Sequence, residues 1–258
     1  MVDYKSLVNE HYKKQAKEHN LALTSTMPDQ NIRKKEIENM VKYLEDGEKC
    51  LEIGCGNGAA SVMISKICKL HLLSIDSTKE MIELAQHQSQ KEIKGELSFK
   101  HQSILELDEK EEFDTVFTIR CIINLMNWED QKISLENMSK RVKNQGKLIL
   151  LEAFSDGLEE LNQARKEMGL ESIPPAYHNL HLKKDQVIEC LEENNLKLVE
   201  ENNFLSTYYF GTRVIYPALA KANNIDTVFN SKIDSFFSHF PSYGNFAHIK
   251  ILVFKKEN

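Results

Sequence analysis

An α/β fold with a parallel sheet covered by helices is predicted by three features of the chain. Apolar β-type runs alternate with segments whose apolar residues recur at helical spacing. One run, Cys50-Leu51-Glu52-Ile53, passes directly into Gly54-Cys55-Gly56-Asn57-Gly58, a strand-to-helix turn in which alternating glycines take φ > 0 without a Cβ penalty. A second run, Leu72-Leu73-Ser74-Ile75, ends in Asp76, eighteen residues after Gly58. In a βαβ unit that acid lies beside the first loop and accepts the hydroxyls of a ribose.

The elements follow in order. Residues 29–45 form a helix, because Ile32, Ile37, Met40, Val41 and Leu44 fall near helical spacing and Asp46-Gly47 stops it. Strand one spans 49–53 and its helix 58–69. Strand two spans 71–75, and its helix, 78–90, starts from a Ser77/Thr78 cap. Strand three is 97–100 and strand four 113–119, followed by a helix at 129–142. Gly146 leads into strand five, 147–152. Five strands alternating with helices imply a parallel sheet covered on both faces, with ligands at the carboxyl ends of the strands.

Composition narrows the function. A chain of 258 residues, 41% apolar, buries one sizeable core. The net charge of −6 and the lack of a Lys/Arg cluster argue against nucleic-acid or anionic-membrane partners and favour a small-molecule acceptor. No apolar run approaches the roughly 18 residues of a spanning helix, and Met1-Val2-Asp3-Tyr4-Lys5 lacks the apolar core of a signal peptide, so a cytoplasmic location is expected. Cysteines 50, 55, 68, 121 and 190 form no C-x-x-C pair, and neither disulfides nor a metal site are expected.

Two cofactors fit the glycine loop. Gly54-x-Gly56-x-x-Ala59 satisfies the loose dinucleotide pattern of an NAD(P)-dependent oxidoreductase. With Glu52 before it and Gly58 as a third alternating glycine, the stretch reads E-x-G-x-G-x-G and resembles motif I of the class I S-adenosylmethionine (SAM)-dependent methyltransferases. Phe113-Asp114-Thr115-Val116 resembles that family's FD-x-V strand, and Arg141-Val142-Lys143-Asn144-Gln145-Gly146-Lys147-Leu148 its entry to strand five. The resemblance implies a SAM site formed by Glu52, Gly54, Cys55, Gly56 and Gly58, with Asp76 and Ser77 at the ribose and Ile119 at the end of strand four. It also implies Ser103 and Ile104 at the adenine, where the family commonly has an aspartate. Thr26-Met27-Pro28-Asp29 and Arg33 resemble the segment before motif I, and Arg33 either reaches the methionine carboxylate or is a surface arginine.

The fold class is therefore a Rossmann-like, seven-stranded, mostly parallel sheet, with strand six over 196–202 and strand seven over 248–255. Some 45 residues separate these two strands, too many for a hairpin loop. They are rich in aromatics, among them Phe204, Tyr208, Tyr209, Phe210 and Tyr216, and are read as a helical insert that either covers the active-site mouth or enlarges the core. A second insert carries Pro174-Pro175, with Asp185 as the cap of the following helix. One domain, 1–258, is expected: a helical segment 1–48, the SAM-binding core 49–153, and acceptor-binding inserts at 154–196 and 204–247. The chain is expected to be a monomer or homodimer.

After strand four the Asp/Asn-Pro-Pro-Tyr motif of nucleic-acid amino-methyltransferases is replaced by Thr118-Ile119-Arg120-Cys121-Ile122-Ile123-Asn124-Leu125. No acidic cluster suited to Mg²⁺ accompanies it. Arg120 either clamps an anionic part of the substrate or pairs with Glu152 or another acid. The carboxy-terminal half, through His178-Asn179-Leu180-His181-Leu182 and Tyr209-Phe210-Gly211-Thr212-Arg213-Val214-Ile215-Tyr216-Pro217, resembles methyltransferases found with bacterial surface-polysaccharide genes. That resemblance implies O-methylation of a sugar, sugar acid or phosphate-type group on a capsule precursor. His178 is the candidate general base, with His181, Tyr177 and Tyr209 as rivals, and Arg120 and Tyr209 complete the catalytic set. Tyr177, His178, His181, Tyr208, Arg120 and Arg213 are the candidate acceptor-binding residues. A non-catalytic SAM-binding module is the third reading.

Overall fold

The computed structural model describes residues 4–19, 21, 27–88, 91–107 and 110–257. Helices α1 (Tyr4–His19) and α2 (Gln30–Met40) precede the sheet. Strand β1 (Lys49–Ile53) leads through α3 (Ala59–Ile67) to β2 (His71–Asp76), and α4 (Lys79–His87) leads to β3 (Glu96–His101). Strand β4 (Phe113–Ile119), α5 (Trp128–Ser139) and β5 (Val142–Ala153) continue the pattern. Then come α6 (Ser155–Glu167), α7 (Lys184–Glu192), β6 (Leu196–Asn202), α8 (Ser206–Phe210), α9 (Tyr216–Ala222), α10 (Lys232–Ser238) and β7 (Ile249–Lys256).

Seven strands form one sheet in the order β3-β2-β1-β4-β5-β7-β6. All are parallel except β7, which runs antiparallel to both β5 and β6. From β1 the chain winds outward to β3, then returns to β4 on the other side of β1 and winds the opposite way. With right-handed crossovers, that reversal places α3 and α4 on one face of the sheet and α5 on the other. The reversal also opens a crevice between the carboxyl ends of β1 and β4, which pair from Cys50↔Thr115 to Ile53↔Thr118. Gly54 and Ile119 thus leave the sheet side by side. The walls of this crevice are rigid because β1 and β4 are buried almost throughout, with Leu51, Val116 and Phe117 at zero exposure.

Several boundaries differ from the sequence reading. The helix expected at 129–142 ends at Ser139, because Val142 is already paired with Phe113 and buried. Strand β5 therefore starts five residues before Lys147 and absorbs the excess in an irregularity, with Gln145 at φ 62°. Helix α2 stops at Met40 and tightens into a 3₁₀ turn over Val41–Tyr43. Lys183, not Asp185, is the cap residue of α7, and Asp185 lies in its first turn. Helix α6 carries only sparse apolar residues and was not anticipated. Its Gly157 is required because a Cβ there would meet the Ala247 carbonyl oxygen at 2.0 Å. Between β6 and β7 the backbone is helical from Ser206 to Ala222, with a π-helical stretch over Gly211–Ile215.

Candidate active site

Gly54, Gly56 and Gly58 all have positive φ, at 76°, 55° and 74°. At two of them the packing alone excludes a side chain: a Cβ on Gly54 would lie 2.3 Å from Cys121 Sγ, and one on Gly58 would lie 2.8 Å from Ala85 and Phe99. Four of the loop N–H groups are taken up within the chain. Gly54 and Cys55 donate to the Ile75 carbonyl at 2.8 and 3.0 Å, Gly56 to Asp76 Oδ2 at 2.8 Å, and Gly58 to the Cys55 carbonyl at 3.1 Å. A dinucleotide loop directs such donors at a pyrophosphate. This loop turns them inward.

Carboxylates face the cleft instead. Asp76 accepts from Gly56 N–H and, through Oδ1, from Thr78 N–H at 2.8 Å. This bond to Asp76 replaces the side-chain cap expected from Ser77/Thr78, since Thr78 makes none. Two carboxylate oxygens offer about four acceptor positions, so the two backbone bonds leave Asp76 capacity for ligand hydroxyls. Glu52 is buried, and its Oε2 accepts from Ser61 Oγ at 2.5 Å and Ser74 Oγ at 2.7 Å. Burial pushes both acids above the usual carboxylate range, and their hydrogen bonds pull back toward it.

These groups line one cleft of 290 Å³ with Gly54, Cys55, Gly56, Ser77, Ser103, Ile104, Ile119, Arg33 and Arg120. Gly58 lies behind it as the N-cap residue of α3. Ser103 caps a 3₁₀ turn over Ile104–Glu106 by accepting from Leu105 N–H at 3.2 Å, and its hydroxyl remains a donor. Sequence reasoning missed Asn57 and Gln102 in this wall. It also missed Tyr4, Val8 and Tyr12, which α1 brings over the cleft. Among the described residues, none from either expected acceptor insert, 154–196 or 204–247, lines the cleft, so Tyr177, His178, His181, Tyr208, Tyr209 and Arg213 stand outside it.

The cation question resolves around an acid that was not singled out. Glu36 has no exposed side-chain surface, and it pairs with Arg33 Nη1 at 2.9 Å and with Arg120 Nε at 2.7 Å. Burial draws Arg33 down to about 10, against the attraction of Glu36. For Arg120 burial also opposes the charge, but Glu36 outweighs it and the guanidinium is held more firmly protonated. Two guanidiniums share the Glu36 carboxylate, and Glu52 also attracts Arg33. The proposed Arg120–Glu152 pair is not formed: Glu152 Oε1 accepts the N–H groups of Cys121 and Ile122 at 2.8 and 3.0 Å, and so holds the turn after β4. Glu36 follows Ile32 by four residues on the apolar face of α2, and an acid on such a face signals a buried partner.

The candidate acceptor residues divide into three groups. His178 stacks on His11 of α1 with ring centroids 4.1 Å apart, and the Tyr177 hydroxyl lies 2.9 Å from His11 Nδ1. Tyr12 meets His178 edge-on at 6.5 Å and donates to Asn124 Oδ1 at 3.0 Å, which links this group to the cleft. His181 stacks on His248 at 5.0 Å, and the Tyr209 hydroxyl is 3.5 Å from His248 Nε2. Tyr208 and Arg213 converge on Asp29, the N-cap of α2: the Tyr208 hydroxyl lies 2.9 Å from each Asp29 oxygen and Arg213 Nη2 lies 3.0 Å from Oδ2. Of the segment before the loop, Thr26 lies outside the described residues.

A family model described as a methyltransferase domain matches residues 44–205, and the chain belongs to that family. An O-methyltransferase of Aspergillus nomiae is 26% identical over 112 residues, 43% of this chain and 48% of the relative. The match thus spans about half the length of that curated relative. Magnesium protoporphyrin IX methyltransferase from Synechocystis PCC 6803, solved with bound SAM, superposes at TM-score 0.62 with 14% identity, covering 100% of this chain and 99% of that one. The N-methyltransferase NodS from Bradyrhizobium japonicum WM9, solved with S-adenosylhomocysteine, reaches TM-score 0.54 with 16% identity over 96% and 99% of the two chains. At these identities the two structures establish a shared fold. No described helix is long and apolar enough to cross a membrane.

Proposed function

We propose that this methyltransferase uses SAM to methylate an oxygen of a small-molecule acceptor of the sugar class, including the sugar acids and phosphate-type groups implied by the 178–182 and 209–217 elements. One observation supports the cofactor reading above the others: the cleft presents the Glu52 and Asp76 carboxylates while four of the loop N–H groups point inward. A pyrophosphate would face two buried acids with few donors. Ribose hydroxyls and an ammonium group are donors and match them.

In this reading Asp76 accepts the ribose hydroxyls, Ser103 and the Ile104 backbone hold the adenine, and Glu52 helps bind the methionine end. Arg33, in the triad with Glu36 and Arg120, attracts the methionine carboxylate. When bound, SAM supplies a methyl group activated by its sulfonium. The chain's own contribution is alignment of the acceptor oxygen with that methyl from the end of β4, where Ile119 and Arg120 face the cleft. Such alignment supplies up to roughly 7–11 kcal/mol of the barrier reduction. His178, with Tyr209 as rival, accepts the acceptor's proton. Burial, with help from His11 and Arg120, lowers His178 to about 4, so it is deprotonated and ready at neutral pH but a weak base.

The test is transfer from methyl-labelled SAM to a panel of hydroxyl, carboxylate, phosphate and amine acceptors, with the labelled product identified by mass. Label on oxygen is the expected result. Label only on nitrogen overturns the proposal, and a His178→Ala variant within about threefold of wild type overturns the base assignment.

A further inference from the structure

Resting on the methyltransferase reading, a second feature of the molecule defines what kind of acceptor it takes. Four buried polar atoms have no hydrogen-bond partner in one small region: Nδ1 of His178, Nδ1 of His181, Oδ1 of Asn179 and Nδ1 of His248. Buried polar groups are nearly always paired with protein, water or ligand, so a concentration of unpaired ones calls for partners from outside the chain. Three come from the 178–181 loop and the fourth from the residue before β7.

Backbone bonds fix these residues at the carboxyl edge of the sheet. Leu180 N–H donates to the Ile123 carbonyl at 2.7 Å, just past Arg120. Leu182 N–H donates to the Ala153 carbonyl at 2.9 Å, and the His248 carbonyl accepts from Phe154 N–H at 2.7 Å, both at the end of β5. The stacked His181 and His248 rings, 13° from coplanar, therefore stand beside the turn that carries the cleft residues Arg120, Cys121 and Asn124.

We propose that His181 and His248, together with His178 and Asn179, form the hydrogen-bonding wall of the acceptor site, that this wall narrows the sugar-class acceptors to an uncharged, hydroxyl-bearing one and excludes the sugar acids and phosphate-type groups, and that His248 is a specificity-determining residue. Two observations argue for an uncharged ligand. The guanidiniums nearest the cluster are engaged with carboxylates, Arg213 with Asp29 and Arg120 with Glu36, which it shares with Arg33. The imidazoles carry no charge at neutral pH, because burial lowers His178 and His181 to about 4 and His248 to about 3. A neutral imidazole donates at one nitrogen and accepts at the other, which suits a hydroxyl that does both.

The test uses full-length protein loaded with S-adenosylhomocysteine and calorimetric titration with matched probes: methyl glucoside against methyl glucuronoside, and benzyl alcohol against mandelate. Methyl transfer to the same four compounds is measured from labelled SAM. The expected result is binding and transfer confined to the uncharged member of at least one pair. His248→Phe then lowers kcat/KM by about tenfold or more, and His248→Asn, which keeps a donor and an acceptor near the Nδ1 position, stays within about threefold. S-adenosylhomocysteine affinity is unchanged in both variants. Preference for the charged members, no binding of either uncharged probe, or wild-type behaviour of His248→Phe overturns the proposal. If His248→Phe does not fold, the probe pairs on wild type and His181→Asn decide the question. Failure of the wild type to bind S-adenosylhomocysteine overturns the cofactor reading, whereas binding it while preferring charged acceptors overturns only this inference.

Discussion

The two ends of the cleft are built in opposite ways. At the β1–β3 end Glu52 and Asp76 are held from within one βαβ unit: Glu52 by Ser61 and Ser74, and Asp76 by Gly56 and Thr78. At the β4–β5 end the groups come from distant segments: α1 and α2 line the cleft, while the 178–181 loop and the residue before β7 stand beside it with ring nitrogens unpaired. The first end is satisfied before any ligand arrives and suits a constant cofactor. The second is unsatisfied and suits a variable acceptor. Preorganisation at one end and unmet hydrogen-bonding capacity at the other divide the work of binding from that of selection.

The largest expected effect lies at the joint between the ends. Glu36→Gln leaves Arg33 and Arg120 buried against each other without their shared carboxylate, and should cost about 3–5 kcal/mol of stability, read as a fall in Tm of roughly 10 °C. A change within about 1 kcal/mol would mean the two ends are not coupled through Glu36. Next, Asp76→Asn places an amide N–H against the Gly56 or Thr78 N–H and should weaken S-adenosylhomocysteine about 100-fold by calorimetry. Gly54→Ala forces φ 76° on alanine and a Cβ onto Cys121 Sγ, and should destabilise by about 2–3 kcal/mol in denaturant unfolding.

A smaller, graded effect separates the ends by pH. The unfolded imidazole binds a proton near pH 6.5, whereas folded His178, His181 and His248 resist it down to about 4, 4 and 3. Between those values the unfolded state holds more protons, so stability is full above pH 6.5 and falls as pH drops toward 4. Melting curves across that range should show the fall, and a His181→Asn/His248→Asn double variant should flatten it. An unchanged slope would place the pH dependence at the acidic end instead. The smallest effect belongs to Tyr177→Phe, which removes one exposed hydroxyl bond to His11 and should shift Tm by no more than about 2 °C.

The same contrast explains what the sequence made legible. Strand, glycine loop, Glu52 and Asp76 lie within one βαβ unit, where spacing alone determines who meets whom. Strands β1, β2, β4, β5 and β7 were legible as largely apolar runs, and the edge of β5 erred where pairing overrode pattern at Val142. The partner of Arg120 was not legible: Glu36 and Glu152 are both acids on buried elements, and only tertiary geometry assigns Glu152 to the backbone of Cys121 and Ile122. Tyr12 and His11 were out of reach for a related reason. Helix α1 carries a weak apolar stripe, and nothing local says that it crosses the cleft. Tyr208 and Arg213 read as acceptor-binding residues, yet both are drawn to Asp29, 179 and 184 residues away.

The most direct test is parallel calorimetric titration of the full chain with S-adenosylhomocysteine, NADH and NADPH. Inward-turned loop donors and cleft-facing Glu52 and Asp76 predict micromolar or tighter binding of S-adenosylhomocysteine and none of either dinucleotide. Binding of a dinucleotide in preference to S-adenosylhomocysteine would contradict the account at its centre.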